Sequence, residues 1–489
     1  MVSYLLIKEN PEVVRMQSQN IKDETQTISN KRSSVVKVAI ILVFGAIAPM
    51  LDTTMTNVAI NTIMKNLNSS VNQVQWVTTS YILALGIFVP IAGWAVDHFS
   101  GKKIYITALL VFLLGSIVSG VSTDINLLIV GRIIQGAGAG VIMSIITTLV
   151  VRAAGPLGLG SIMAIVGLPA ILAPILGPTI GGFIVKALNW HWIFYVNIPV
   201  AIGSIILLYF MMPEFKPTVS KKSFDWISLL LLGGAFTTLI LGVTKLSTSG
   251  KFTNSDVFVP ILIGLALLVG YGVYAGLFPQ KALVSLKLFK FPSFTASTIL
   301  LLMSGLTVNG AMFILPLYLQ NIRGLSVVMS GVYLISQGLG LLIARSQIGK
   351  LTDKIGARWV VLASIAIAVI GTLPFAFFNA KTATWLILLT LFVRGIAQGG
   401  MTIPIMSDAY SGVPSELVSE ATTASRMLQN IGGAFGTALL ATWIQTQLNG
   451  HMITPAHLNS AYQGAFMVTV VVTVLAVIPA WFLSHHLNK

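Results

Sequence analysis

The chain carries 14 acidic side chains, and Asp52 is the one that falls well inside an apolar stretch. A carboxylate at that depth costs several kcal/mol to keep ionised, so it is a functional signal by default. Asp52 stands six residues before the end of the apolar run 37–58, and Arg132 stands six residues after the start of the run 126–150. If the first run climbs through a membrane and the second descends, the two side chains lie at nearly equal depth. A neighbouring arginine favours the ionised carboxylate, and burial favours the neutral acid. Competition between the two lets proton occupancy depend on conformation, which is the chemistry of a proton carrier. The plainer reading is a static ion pair.

A second constellation is Gly93-Trp-Ala-Val-Asp97-His-Phe-Ser-Gly101-Lys102-Lys103. It has an approximate copy 256 residues later, Gly349-Lys-Leu-Thr-Asp353-Lys-Ile-Gly356-Ala-Arg358. Cations and helix ends can hold such a carboxylate in one packing and release it in another. Gly177-Pro178 and Gly181-Gly182 give another run a smooth surface for close helix approach and a weakened backbone. Asn57, Tyr81, Gln135, Asn309, Gln337, Gln398 and Asn430 are candidates for lining a substrate cavity. The second half shows no deep carboxylate, which makes a divalent cation a less natural substrate than a monovalent cation, a neutral compound or a zwitterion. With no cysteine and no histidine at metal-ligand spacing, no metal site is expected. Gly136-Ala-Gly138-Ala-Gly140 lies inside an apolar run with no GK[ST] after it, so no nucleotide and no bound cofactor are expected.

Composition sets the solvent in which these residues act. Of 489 residues 55% are hydrophobic and 9% charged, against about 25% charged in ordinary soluble domains. A soluble enzyme, a secreted scaffold and a disordered chain are excluded. The net charge of +15 would suggest nucleic acid in a soluble protein; here the placement of the charges matters more. Apolar runs fall at 37–58, 76–96, 104–122, 126–150, 160–184, 192–212, 226–246, 257–278, 293–319, 328–348, 359–378, 384–406, 421–445 and 462–484. Each is near the roughly 20 residues a membrane helix needs, and in lipid the backbone must bond within itself. The expectation is therefore an all-α multi-pass membrane protein of fourteen helices. Lysines and arginines crowd the loops on one side, as in Lys102, Lys103, Lys216, Lys221, Lys222 and Lys350, and are sparse on the other. That bias places both termini in the cytoplasm.

The halves echo each other: Arg132-Ile-Ile-Gln135-Gly136 recurs as Arg394-Gly-Ile-Ala-Gln398-Gly399. The organisation expected is a flexible cytoplasmic tail over 1–36, a six-helix bundle over 37–212, a linker with two extra helices over 213–290 and a second six-helix bundle over 291–489. The extra pair has few polar groups and no polar stripe, so it should sit outside the bundles and face lipid.

Taken together these segments resemble the major facilitator superfamily, and within it the 14-helix drug:proton antiporters. The resemblance covers about residues 37–484. It rests on Leu51-Asp52-Thr53-Thr54-Met55-Thr56-Asn57-Val58-Ala59, the Gly93–Lys103 loop, Arg132 with Gln135-Gly136 and Gly138, Gly167 with Gly177-Pro178 and Gly181-Gly182, and Trp190-His191-Trp192-Ile-Phe-Tyr-Val-Asn197-Ile-Pro199. An arginine is usual where His191 stands. The resemblance implies a fold of two six-helix bundles plus two inserted helices, and proton-coupled export of drugs or other amphipathic compounds by alternating access. Asp52 and Arg132 would couple protons. Gly93, Asp97, Gly101 and Lys102, with Asp353 and Arg358 in the copy, would latch the outward-facing state, and Gly177, Pro178, Gly181 and Gly182 would gate. The expected setting is a monomer in the plasma membrane of a bacterial-type cell, not an enzyme. Its partners would be protons, lipid and a hydrophobic small molecule, cationic or neutral, and not nucleic acid. The rival readings are a dedicated metabolite or lipid exporter or flippase of the same fold, and a non-transporting membrane receptor or scaffold.

Overall fold

A computed structural model describes residues 11–154, 172–173, 176–215, 224–249, 253–410, 413–414, 417–449 and 454–484. Among the described residues there is helix and no strand. The first half contains α1 (Pro11–Asn66), α2 (Val71–His98), α3 (Gly101–Gly120), α4 (Ile125–Ala154), α5 (176–187), α6 (Trp192–Tyr195) and α7 (Asn197–Met211). The middle holds α8 (Trp226–Ser249) and α9 (Ser255–Leu277). The second half contains α10 (Pro292–Asn321), α11 (Val327–Ile355), α12 (Ala357–Thr372), α13 (Thr384–Tyr410), α14 (Val418–Leu448), α15 (Pro455–Leu475) and the short α16 (Val477–Ala480).

Twelve stretches among the described residues are long and apolar enough to cross a membrane. The two remaining predicted spans differ for separate reasons. Most of 160–184 lies outside the described residues, and α5 covers its C-terminal end. The second, α14, forms a helix of ample length but carries Arg426, Gln429 and Asn430, because it packs between the two halves rather than against lipid.

Helix starts follow local rules. Ser70 and Gln73 form a capping box at α2: Ser70 Oγ accepts from Gln73 N at 3.2 Å, and Gln73 Oε1 accepts from Ser70 N at 2.9 Å. Ser326 and Thr454 cap α11 and α15 through the backbone N–H three residues on. Between α11 and α12 a single residue, Gly356, makes the turn at φ +83°, a conformation that favours glycine. The structure also extends α1 back to Pro11, where the sequence suggested a flexible tail. No glycine or proline interrupts residues 12–44, so nothing stops the helix from continuing past its apolar part.

Within the first half, α4 packs between α2 and α3, with α1 and α7 beside them; within the second, α10 packs on α14 and α11 and α12 on α13. The halves meet through α2 against α14 and α1 against α10 and α11. Of the middle pair, α8 lies on the seam formed by α2 and α14, tied to α2 by Asn72 Nδ2 donating to the Thr244 carbonyl at 3.0 Å. α9 backs onto α8 and is otherwise outward: 17% of its most apolar window is buried, against 67% in α1. The inserted pair is peripheral, with one helix spanning the joint.

One close crossing is α3 on α4. A Cβ at Gly115 would lie 2.7 Å from Gln135 Cγ and 2.8 Å from the Gly131 carbonyl oxygen, and backbone cannot yield. Gly115→Val should therefore cost more than the about 1–3 kcal/mol of ordinary overpacking and lower the melting temperature in detergent. Gly272→Val on α9, where a Cβ meets nothing within 4 Å, should leave it unchanged. Equal melting temperatures for the two variants would refute the crossing.

Candidate functional site

α1 brings Asp52 into the core of the first half with no exposed surface. Arg132 of α4 reaches it: its guanidinium Nη1 donates to Asp52 Oδ2, the one ion pair among the described residues. Asp52 Oδ1 accepts from Asn197 Nδ2 of α7 at 2.8 Å and from Gln135 Nε2 of α4 at 3.3 Å. Three helices thus donate to or carry one carboxylate. Arg132 is itself held on several sides. Its Nε donates to the Val77 carbonyl of α2 at 2.9 Å, and Nη1 also reaches Gln135 Oε1 at 2.9 Å. The guanidinium lies over the Tyr81 ring, 4.1 Å from its centroid, a desolvated cation–π contact. Nη2 is buried without a hydrogen-bond partner.

The outer supports run down to backbone. Tyr81 Oη donates to the Pro49 carbonyl at 3.1 Å, tying α2 to α1 one turn before Asp52. Gln135 is fixed by Ser119 Oγ, which donates to its Oε1 at 3.2 Å, and by Ser116 Oγ, which accepts from its Nε2 at 2.8 Å. The close approach of α3 at Gly115 is what brings Ser116 and Ser119 within reach. Sequence reasoning placed Tyr81 and Gln135 in a substrate cavity; the structure puts both around the Asp52–Arg132 pair instead. It missed Asn197, whose signal was an amide at the head of an otherwise apolar helix. His191 stacks on Trp190 with ring centroids 3.7 Å apart and meets the Ser122 carbonyl, outside this network.

Asn57, Gln337 and Gln398 line one cavity between the halves, together with Thr54, Pro178 and Met312. Asn57 Oδ1 accepts from Thr78 Oγ1 at 3.0 Å, and Gln337 Nε2 donates to Gln398 Oε1 at 3.0 Å. Asn309 turns back to the Gly305 carbonyl at 3.2 Å, and Asn430 packs by Gly86 at the α2–α14 joint. Neither lines that cavity.

The loop residues divide. Gly93 is exposed, and a Cβ there would touch nothing within 4 Å. Gly101 is buried beside Leu149 and Phe215. Lys102 Nζ donates to the Tyr209 carbonyl at 2.8 Å, inside its own half. The side chains of Asp97 and Asp353 lie outside the described residues. Arg358 donates Nε–H to the Leu483 carbonyl at 2.9 Å and lies over Trp481. In α5, Gly177 and Gly181 face α1 at Thr54 and Met55, and Gly182 faces Val327 and Val328 at the start of α11. The Pro178 carbonyl abuts Gly331. These small residues bring α5 into backbone contact with α1 and with the start of α11.

Two further buried charges lie in the second half. Arg394 donates to Thr372 Oγ1 at 2.6 Å and to the Thr307 carbonyl at 3.2 Å. Asp408, read from the sequence as lying at the inner face, is fully buried near the end of α13; it accepts from Ser484 N at 3.2 Å, Ser484 Oγ and Ser297 Oγ. It clamps the chain after α16 onto α10 and α13.

Known proteins share this architecture. The Major Facilitator Superfamily profile matches residues 42–437 and 298–488. The multidrug resistance protein B homolog of Mycobacterium tuberculosis is 32% identical over 417 residues, 85% of this chain and 77% of that protein. The lincomycin resistance protein LmrB of Bacillus subtilis is 26% identical over 477 residues, 94% of this chain and 98% of that one. Among solved structures, a D-xylose–proton symporter matches in fold with a TM-score of 0.66 at 14% identity, covering 92% of this chain and 98% of its own.

Tyr81 gives the direct test of the site's packing. Tyr81→Phe removes one buried hydrogen bond and keeps the ring, and should cost about 0.5–1.5 kcal/mol. Tyr81→Leu also removes the face beneath Arg132 and should cost at least about 1 kcal/mol more. Thermal unfolding of the two variants in detergent reads the difference; equal losses would show that the ring contributes nothing to Arg132.

Proposed function

The chain belongs to the Major Facilitator Superfamily, and we propose that it is a proton-coupled antiporter exporting drugs or other amphipathic compounds by alternating access, with Asp52 as the proton carrier. It is a multi-pass membrane transporter and not an enzyme. The observation that carries the proposal is the Asp52–Arg132 pair: a carboxylate with no exposed surface, paired to an equally buried guanidinium. An ion pair of this kind is a costly way to stabilise a bundle, since well-packed apolar side chains often do as well. It is a natural way to bind a proton in one conformation and release it in another. Asn197 and Gln135 donate to the same carboxylate from α7 and α4, helices that can move relative to α1.

Relatives named for multidrug and lincomycin resistance support export of foreign compounds. The seam between the halves supports alternating access. Across it Gln320 Nε2 donates to the Val58 carbonyl, Arg426 donates to the Met143 carbonyl, and Thr79 and Thr437 share a hydroxyl contact. These are uncharged acceptors that can be exchanged at small cost. The glycines of α5 seal the outer side, and the Gly93–Lys103 loop and its copy hold the inner side when the outer opens. The driving force is the proton gradient, with no bound cofactor. The protein works as a monomer in the plasma membrane with both termini in the cytoplasm, as the lysine and arginine bias requires.

Asp52→Asn should abolish proton-driven export, because the amide keeps hydrogen-bonding capacity but cannot carry a proton; it also leaves Arg132 without its counter-charge, so export is compared at equal amounts of inserted protein. Inverted membrane vesicles with and without a pH gradient, assayed with a panel of dyes and lipids, measure this. Export of a dye against its gradient by Asp52→Asn at the unaltered rate would remove Asp52 from the mechanism. Movement of lipid and no dye by the unaltered protein would favour the dedicated flippase.

A further inference from the structure

A groove opens on the surface of the second half, between the start of α10 and the end of α15. Lys290, Thr295 and Ile299 stand on one wall and Leu475, Ile478 and Phe482 on the other, around about 500 Å³. That volume lies within the range of ligand pockets. The sequence makes the gap. Pro479 has no N–H to give to the Leu475 carbonyl, and α15 ends at Leu475 before α16 begins at Val477. The residues after α16 do not close it, because they are pinned elsewhere. Arg358 Nε donates to the Leu483 carbonyl at 2.9 Å, and Ser484 N donates to Asp408 at 3.2 Å. Ile299 is 48% exposed and Phe482 64%, so the walls face lipid. From Pro292 to Ile299 the groove runs about 10 Å along α10.

The mouth of the groove is basic. Lys287 and Lys290 belong to the 3₁₀ turn Leu286–Lys290, in which residues three apart eclipse. Both side chains therefore leave from one face at the head of the groove. Both are exposed, and neither is in an ion pair among the described residues. α10 starts beside them with no side chain capping its N-terminus, the end of a helix that favours an anion. No acidic side chain lines the groove among the described residues. Asp408, which holds the chain at Ser484, has no exposed surface and accepts from Ser297 and Ser484, so it offers the lysines no partner.

We propose that this groove binds an anionic glycerophospholipid, with one acyl chain between α10 and α15–α16 and the phosphate at Lys287, Lys290 and the α10 N-terminus. A basic pocket between membrane helices suits such a headgroup, and the apolar walls suit the chain. A zwitterionic lipid brings its own cation to the two lysines, and a cationic drug meets the same repulsion. The seated lipid braces α10, whose Thr307 carbonyl holds Arg394, against the last helices. The site is independent of what the protein exports.

The chain has no cysteine, so a bimane label on Ile299→Cys reports the groove. A label on Val269→Cys, 67% exposed on α9, reports ordinary lipid contact. The purified full chain is placed in phosphatidylcholine vesicles at a high lipid-to-protein ratio. A rising fraction of phosphatidylglycerol or of phosphatidylcholine then carries a quenching nitroxide on its acyl chain. At Ile299 phosphatidylglycerol should reach half-maximal quenching at about a tenfold lower fraction than phosphatidylcholine, since each lysine near a headgroup is worth about fivefold. At Val269 the two lipids should match. Lys287→Gln combined with Lys290→Gln should erase the difference, and Lys381→Gln, exposed in another loop, should keep it. The substituted lysines are exposed, and all variants are compared at equal amounts of inserted protein. Equal quenching by the two lipids at Ile299 would overturn the assignment, as would a preference that survives the double variant. Relief of the quenching by chloramphenicol would make the groove a drug site and overturn it as well.

Discussion

An ionised carboxylate in the middle of a membrane protein must be surrounded, and the first half is built to surround Asp52. A charged side chain at the centre of an isolated membrane helix costs roughly 2.5–3.5 kcal/mol on insertion scales. Leaving one member of a buried pair without its partner costs about 3–5 kcal/mol. Those penalties fix the relative positions of α1, α4 and α7, because Asp52, Arg132 and Asn197 come from three different helices. They also fix α2, whose Val77 carbonyl and Tyr81 ring hold the guanidinium. Close helix packing follows as a requirement. If α3 could not approach α4 at Gly115 and Gly131, Ser116 and Ser119 would not reach Gln135, and Gln135 would not be held against the pair.

The seam between the halves follows the opposite rule. No ion pair crosses it among the described residues. Its contacts are hydroxyls, amides and backbone carbonyls, with one guanidinium, Arg426, on the Met143 carbonyl, and glycine and proline of α5 against the start of α11. Each neutral hydrogen bond is worth about 0.5–1.5 kcal/mol net, so the seam can rearrange while the charged core of the first half stays assembled. α8 lies along the same seam, touching α2 and α14. The inserted pair is therefore peripheral, and α8 touches both halves.

Much of this was legible in the sequence for a physical reason. Lipid demands long apolar helices, so hydropathy marks them, and Asp52 stands out because a deep carboxylate is rare. Its depth relative to Arg132 followed from counting residues along antiparallel helices. What failed to show was lateral direction. Tyr81 and Gln135 looked like cavity residues because their polarity is visible in the sequence, while the face they occupy is set by the packing of α2, α3 and α4. Asn197 went unassigned because its partner lies 145 residues away. Asp408 looked like an interfacial acid from its place at the end of a span; the turn of the chain at Ser484 covers it. α14 was legible as the run 421–445; that its Arg426, Gln429 and Asn430 pack between the halves was not.

The duplicated motif carries a difference of one residue, and that difference separates two tasks. In the first half the glutamine follows its arginine by three positions, Arg132 and Gln135; in the second it follows by four, Arg394 and Gln398. On an α-helix each residue advances about 100°, so the two glutamines leave their arginines on opposite sides. Gln135 turns back to the guanidinium and to Asp52. Gln398 turns to the cavity and meets Gln337. The helix opposite has diverged to match. α1 presents a carboxylate to Arg132, whereas α10 presents the Thr307 carbonyl to Arg394, which needs no proton to be satisfied and offers none. The same scaffold, read twice, thus holds an ion pair in one half and an arginine met by a hydroxyl and a carbonyl in the other. Each arrangement is locked to its own half and neither is locked to its counterpart, so the two copies can shift against each other without breaking either.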